Sequence, residues 1–321
     1  MGVKAQIGVA EESTWGTYVA PTRYFELLSA ELALTKETIE SAAWRAGVPV
    51  VNASRRKKGA IRAEGPLRME IANKGFGLLF KHMLGTIATT TPGGGTLTRD
   101  HTATFGDLYG KGLTIQEGLD DRTATVRPFS FLGCKVTSWE IGCAINEFAT
   151  LTLNMLGKDV DTAQTLGTAS YASGLDTFTF IEGALTVAAA ATPIRSITLS
   201  GDNGLPTNDY AFGSAVMRQP RDPARRPVTG SFEADFESLT LFNHIAAHDE
   251  VALDLKFASA GFIEGALRYE LEITGTVQID ADTPKASGPE EIRQPISFTL
   301  VQPAAGGEPL TMVYRTTDTA P

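Results

Sequence analysis

His244 and His248 stand four residues apart in a stretch with helical spacing, an arrangement that can turn two imidazoles toward one metal ion. Between them lie Ile245, Ala246 and Ala247, so the glutamate that a metalloprotease uses as general base is missing. Asp249 and Glu250 follow only at the helix end. The pair reads as two surface histidines. Gly93-Gly94-Gly95 is not followed by the Lys-Ser or Lys-Thr of a phosphate loop. Gly75-Phe76-Gly77 lacks the third glycine of a dinucleotide fingerprint, position 80 being Phe80. No Gly-x-Ser-x-Gly elbow occurs. Asp120-Asp121 and Glu290-Glu291 are neighbours in turn-like stretches, which suits solvated turn residues rather than an acid–base pair facing across a cleft. Cys134 and Cys143, nine apart on one strand, would point to opposite faces. They read as two reduced, partly buried thiols. The residues therefore predict no enzyme, no cofactor and no metal site.

The strongest charge run is Ser54-Arg55-Arg56-Lys57-Lys58, echoed by Arg225-Arg226 in the second half. It lies in a chain of net charge −9, and no aromatics are interleaved with it. That excludes a nucleic-acid-gripping surface, which needs a net basic face. A charge-complementary contact between subunits fits better. The start of the chain lacks a continuous apolar stretch, and no run reaches the roughly 18 apolar residues of a membrane span.

The elements that would position these residues are mostly strands. Thirty-two glycines and sixteen prolines in 321 residues, with many threonines, favour strands and turns. Leu67, Met69 and Ile71 alternate with Pro66, Arg68 and Glu70, the period of a half-buried strand. Phe76, Leu79, Phe80 and Met83 then share a helical face, with Asn73 as the expected N-cap and Gly85 as the stop. Residues 86–104 read as a polar loop. Strands follow around Leu113, over Phe129–Ile141 and over Ala149–Met155.

The second half repeats the order. Gly230 to Phe236 alternates, 238–247 is a short helix, and strands follow over 251–257, 267–279 and 292–301. Gly65 and Gly230 are the matching points. The order predicts a mainly β chain of two similar β-sandwich or half-barrel modules, each with a short flanking helix. The expected boundaries are an N-terminal arm over 1–24, a first module over 25–157, a linker over 158–177, a second module over 178–305 and a C-terminal tail over 306–321.

Gln6-Ile7-Gly8-Val9-Ala10-Glu11-Glu12, then Gly16-Thr17 and Pro21-Thr22-Arg23-Tyr24, resembles the opening of major tail tube proteins of long, non-contractile-tailed phages. The Gly133-Cys134-Lys135-Val136 stretch, and the glycine-initiated strand before the short helix, resemble that group too. The resemblance implies a structural subunit of the virion tail, made in the host cytoplasm. Its modules would pair edge to edge into rings, the rings would stack through a long loop and the termini, and DNA would pass through the lumen at ejection. A duplicated chain would build the ring from three copies with pseudo-sixfold symmetry, or else from six. The implied partners are further copies, a tape measure protein, and terminator or tip proteins. Trp15, Tyr18 and Tyr24 in the arm, and Arg55, Arg56, Lys57, Arg225 and Arg226 in the two basic loops, are the expected assembly contacts. The rival reading is a β-sandwich module of a tail tip that binds carbohydrate or a receptor, although 8% aromatic residues, dispersed, give it little to bind with.

Overall fold

The computed structural model describes residues 5–123, 125–221, 225–280, 283 and 292–321. It is mainly β. The first half runs β1 (Gln6–Glu11), β2 (Arg23–Phe25), β3 (Ser29–Ala30), β4 (Ala33–Glu40), β5 (Arg56–Glu70), α1 (Gly77–Leu84), β6 (Gly85–Thr90), β7 (Arg99–Phe105), β8 (Leu113–Asp120), β9 (Val126–Ala144), β10 (Thr150–Gly157) and β11 (Asp159–Asp161). The second runs β12 (Gly183–Val187), β13 (Ala190–Ala191), β14 (Ile194–Asp202), β15 (Val228–Asp235), α2 (Thr240–Ala247), β16 (Val251–Glu264), β17 (Leu267–Asp280), β18 (Arg293–Leu300) and β19 (Leu310–Thr316).

Two long strands organise the pairing, and every named strand pair is antiparallel. β9 runs first beside β8 and β11, then beside β10. β8 takes β1, which takes β2; β10 takes β5, which takes β4. The second half repeats these pairings, without counterparts of β3, β6 and β7. β17 runs beside β16 and β19, then beside β18. β16 takes β12, which takes β13; β18 takes β15, which takes β14. The registers correspond as well. Gly65 faces Met155, which faces Val136, while Gly230 faces Phe298, which faces Ile279. Both glycines let a neighbouring backbone come close. A Cβ would sit 2.1 Å from the Glu31 carbonyl oxygen at Gly65, and 2.6 Å from that of Thr198 at Gly230, where it would also strike the Phe298 ring.

The halves interlock instead of hanging on a linker. β14 of the second half pairs with β9 of the first, and β19 pairs with β7 as well as with β17. One hydrophobic cluster runs from Ile7 and Val9 through Trp139 and Phe232 to Met312 and Tyr314. Several expectations change accordingly. The stretch expected as an N-terminal arm over 1–24 contains β1, whose Ile7, Val9 and Ala10 are buried because β2 and β8 flank it. The 306–321 tail contains β19, inserted between β7 and β17. The 158–177 linker contains β11 and is fastened by Asn73, whose side chain donates to the Gly174 carbonyl and accepts from the Asp176 N–H. Asn73 is thereby unavailable as the N-cap of α1, which Phe76 provides; Gly85 does end that helix, at φ 109°. The 86–104 loop is largely the β6–β7 hairpin.

Glu117, in the middle of β8, is the least comfortable charge in this core. It is buried, one of its carboxylate oxygens has no partner, and burial raises its pKa to about 7 despite a hydrogen bond from the Leu32 backbone. A raised folded-state pKa means that the folded chain holds a proton which the unfolded chain releases near pH 4.5. Stability therefore falls as pH rises from about 4.5 to 7, and stays lowered above that. Glu117→Gln should remove this slope. It should add stability on the order of 3 kcal/mol at pH 8, and little at pH 4.5, in urea unfolding followed at both values.

Candidate functional site

The interlock produces one continuous sheet of eight strands, in the order β4-β5-β10-β9-β14-β15-β18-β17. One face of it is core: Leu67, Met69, Leu151, Leu153, Ile141, Ile197, Phe232 and Phe298 are all buried. Period-2 alternation puts a different set on the other face. Register aligns Arg68, Thr152, Glu140, Ser200, Thr229, Thr299 and Gln278 in one row across the strands. The next row is Glu70, Thr150, Gly142, Thr198, Ser231, Ser297 and Asp280. This face carries small hydroxyl side chains and acids, and no large apolar residue interrupts these two rows. Beside Arg68 in the first row, two further arginines of this face are matched by acids. The Arg62 guanidinium lies 2.9 Å from the Glu64 carboxylate, which it holds below the usual carboxylate range. Arg195 makes a two-pronged contact with Asp235 at 2.9 and 3.1 Å. Glu70, Glu140, Asp202, Glu233 and Asp280 leave the face acidic.

From one end of this sheet the β4–β5 ladder continues as a hairpin over 41–55. Ser41 N–H donates to the Arg55 carbonyl, and the tip closes at Arg45 and Val48 around Gly47, at φ 77°. Trp44 at the tip is 89% exposed and Val50 73%. Arg55, Arg56 and Lys57 lie at the base of this hairpin. Arg55 belongs to a short 3-10 turn and is exposed, Arg56 lies 3.7 Å from Glu40, and Lys57 is opposite Ile39. The second basic loop is built differently. Arg225 is exposed, but Arg226 is half-buried and donates to the Leu84 carbonyl at 2.9 Å, tying the loop to the end of α1. Asp222, Pro223 and Ala224 lie outside the described residues.

The aromatics expected in an arm have partners within the chain. Trp15 Nε1 donates to the Gly133 carbonyl at 2.9 Å, its ring lies under Lys158, and it fills a notch that a Cβ at Gly112 or Gly133 would close. The Tyr18 hydroxyl accepts from Gln116 at 3.5 Å. Tyr24 stacks edge-on with Tyr171 at 6.4 Å. The sequence drew attention to these rings and passed over Trp44, which stands in a stretch without periodicity. Among the large apolar side chains of the described residues only Phe212 is more exposed.

The residues that could have done chemistry are dispersed. His244 pairs with Asp249 at 3.0 Å, while His248 caps α2 in the left-handed region at φ 51°, outside the helix, so the two do not share a helical face. Cys134 and Cys143 are free thiols, and burial raises both pKa values, that of Cys143 to about 11. Asp121 accepts from Thr123 and Arg127 within its own turn. Glu290 and Glu291 lie outside the described residues. Among the described residues no group of His, Cys, Asp and Glu is arranged to hold a metal ion, and no helix is long and apolar enough to cross a membrane.

Comparison with known proteins adds one match. The model of the family described as phage tail tube protein matches residues 2–300. No curated protein matches the chain.

Proposed function

The chain belongs to the phage tail tube protein family, and from that premise we propose that it builds the tube of a long, non-contractile tail as a ring of three chains. It is a structural protein of the virion tail that assembles with its own kind. In the proposed ring the two halves are duplicated modules, and the hydroxyl- and acid-lined sheet face is the lumen wall past which DNA slides. Synthesis in the host cytoplasm, and contacts with a tape measure protein and with terminator or tip proteins, belong to the same reading. Arg55, Arg56, Lys57 and Arg225 remain in it as exposed contact residues. Trp15, Tyr18, Tyr24 and Arg226, half-buried against their own chain, offer a neighbouring copy a smaller surface.

One observation carries the threefold reading. The internal joint is β9 against β14, and the counterparts of those two strands are β17 and β4; among the described residues β4 is paired by β5 alone, and β17, which β16 covers up to Val277, is paired by β18 alone over Gln278–Asp280. A joint of the same kind between chains would pair β4 of one copy with β17 of the next. Three eight-stranded sheets would then close a barrel of 24 strands with no free edge. Register transfers as well. Asn203 N–H donates to the Thr137 carbonyl at the internal joint. The correspondences of β4 with β14 and of β9 with β17 carry that contact to Lys36 and Asp280, which are exposed and opposite in charge.

The experiment is a cysteine pair, Lys36→Cys with Asp280→Cys, oxidised in assembled tubes. Denaturing gels should show a ladder that ends at three chains. A ladder running to six full-length chains, or native mass spectra of six-chain rings, would sink the threefold reading.

A further inference from the structure

The exposed hairpin tip has a matching cleft on the same molecule, at the far end of the sheet. The cleft has a volume of about 350 Å³ and is lined by Ile145, Phe180, Leu185, Ile194, Leu255 and Phe257, with Cys143 at its floor. Its lining Ile145 is 43% exposed, and Ile181, next in sequence to the lining Phe180, is 79% exposed. Pairing fixes its position relative to the hairpin. β5 leaves the hairpin at Arg56 and ends at Glu70, which faces Thr150 and, beyond it, Gly142. Ala144 and Ser196 pair just past that row, at the mouth of the cleft. Hairpin base and cleft are thus separated by the length of a 15-residue strand, roughly 45 Å.

We infer that the cleft of one copy receives Trp44 of a copy in the adjacent ring, and that this plug holds the rings in a stack; the inference rests on the tube reading above. Four features carry it. The tip and the cleft are both apolar and unfilled. They lie at opposite ends of one sheet, so each copy offers a plug in one direction and a socket in the other. Such a head-to-tail contact does not close on itself and generates a filament. Charge agrees: Arg45 and Arg55 accompany the plug, Glu147 and Glu182 flank the socket, and Arg195 in the socket wall is already held by Asp235. Finally, the socket is built from β9, β12, β14 and β16; its Leu255 and Phe257 pair with Ile273 and Leu271, short of the Gln278–Asp280 end of β17 that the joint between chains would use, so ring closure leaves it open.

Trp44→Ala removes the plug and leaves the socket; Ile145→Asp spoils the socket and leaves the plug. A buried tryptophan anchor is commonly worth a factor of about 30 or more in affinity. Either variant alone should therefore form rings that fail to stack in negative-stain images. An equimolar mixture should form paired rings and no longer tubes, because one intact plug meets one intact socket. That pairing also shows that both variants fold. Tubes of normal length from either variant, or a mixture that yields only single rings, would overturn the docking. If the unaltered chain formed no rings at all, the tube reading itself would fall, and the docking with it.

Discussion

Replacing Tyr314 with alanine should destabilise the chain by about 4 kcal/mol, the scale measured when a large buried ring is truncated. Tyr314 is fully buried in β19; its ring lies 5.4 Å from Phe80 of α1, and its hydroxyl donates to the Ala72 carbonyl at 2.7 Å. Alanine would leave a cavity where α1, β7 and β17 converge, and would leave that carbonyl without its side-chain donor. The position matters beyond the lost area. β19 is the strand through which the second half grips the β6–β7 hairpin of the first, and the adjacent Arg315 makes a two-pronged contact with Asp100. Against the 5–15 kcal/mol of a typical domain, a loss of this size should lower the midpoint in urea and strip amide-exchange protection from β7 and β19 together. Tyr314→Phe keeps the ring and should lose only about 1 kcal/mol, which separates packing from the hydrogen bond. Equal losses in the two variants would show that the hydroxyl, not the ring, holds the seam.

Much of the scaffold was legible because it is local. Alternation at Leu67, Met69 and Ile71 marks β5, helical spacing at Phe76, Leu79, Phe80 and Met83 marks α1, and the same order recurs from Gly230 onward. Gly65 and Gly230, matched by spacing, both lie on strands where a neighbouring backbone comes close. What stayed hidden is long-range. β19 shows the period in Leu310, Met312 and Tyr314, but its partner β7 lies about two hundred residues upstream, and nothing local announces that pairing. β6 and β7 are threonine- and alanine-rich and read as loop, since their neighbours, rather than their own apolar residues, hold them as strands. The interlock at β9 and β14 was equally invisible, and it is what joins strands of both halves into one eight-stranded sheet. The candidate site follows the same division. The basic run at Arg55–Lys57 can be read from the chain. The polar sheet face and the Trp44 plug with its socket exist only once strands far apart in sequence are aligned.

The polar face also gives the tube reading its most demanding test. Thr152, Ser200 and Thr229 lie in one row on β10, β14 and β15, with side chains directed away from the core. Lysine at all three should leave folding and ring closure intact, because none contributes to the buried cluster. In a ring of three chains the substitutions line the lumen with nine added positive charges, three from each copy. DNA contacts of roughly 6–10 phosphates change affinity by about 10³–10⁵ between 50 and 200 mM salt. Tubes of the triple variant should therefore hold duplex DNA in low salt, release it steeply as salt rises, and shield the held segment from nuclease. Tubes of the unaltered chain should hold none, since acids and hydroxyls dominate the face and Arg62 and Arg195 are already paired. Nuclease protection locates the charge. DNA bound on an outer surface would be digested, and the sheet face would then have to be assigned to the outside of the tube. Protected DNA would identify the eight-stranded sheet as the lumen wall.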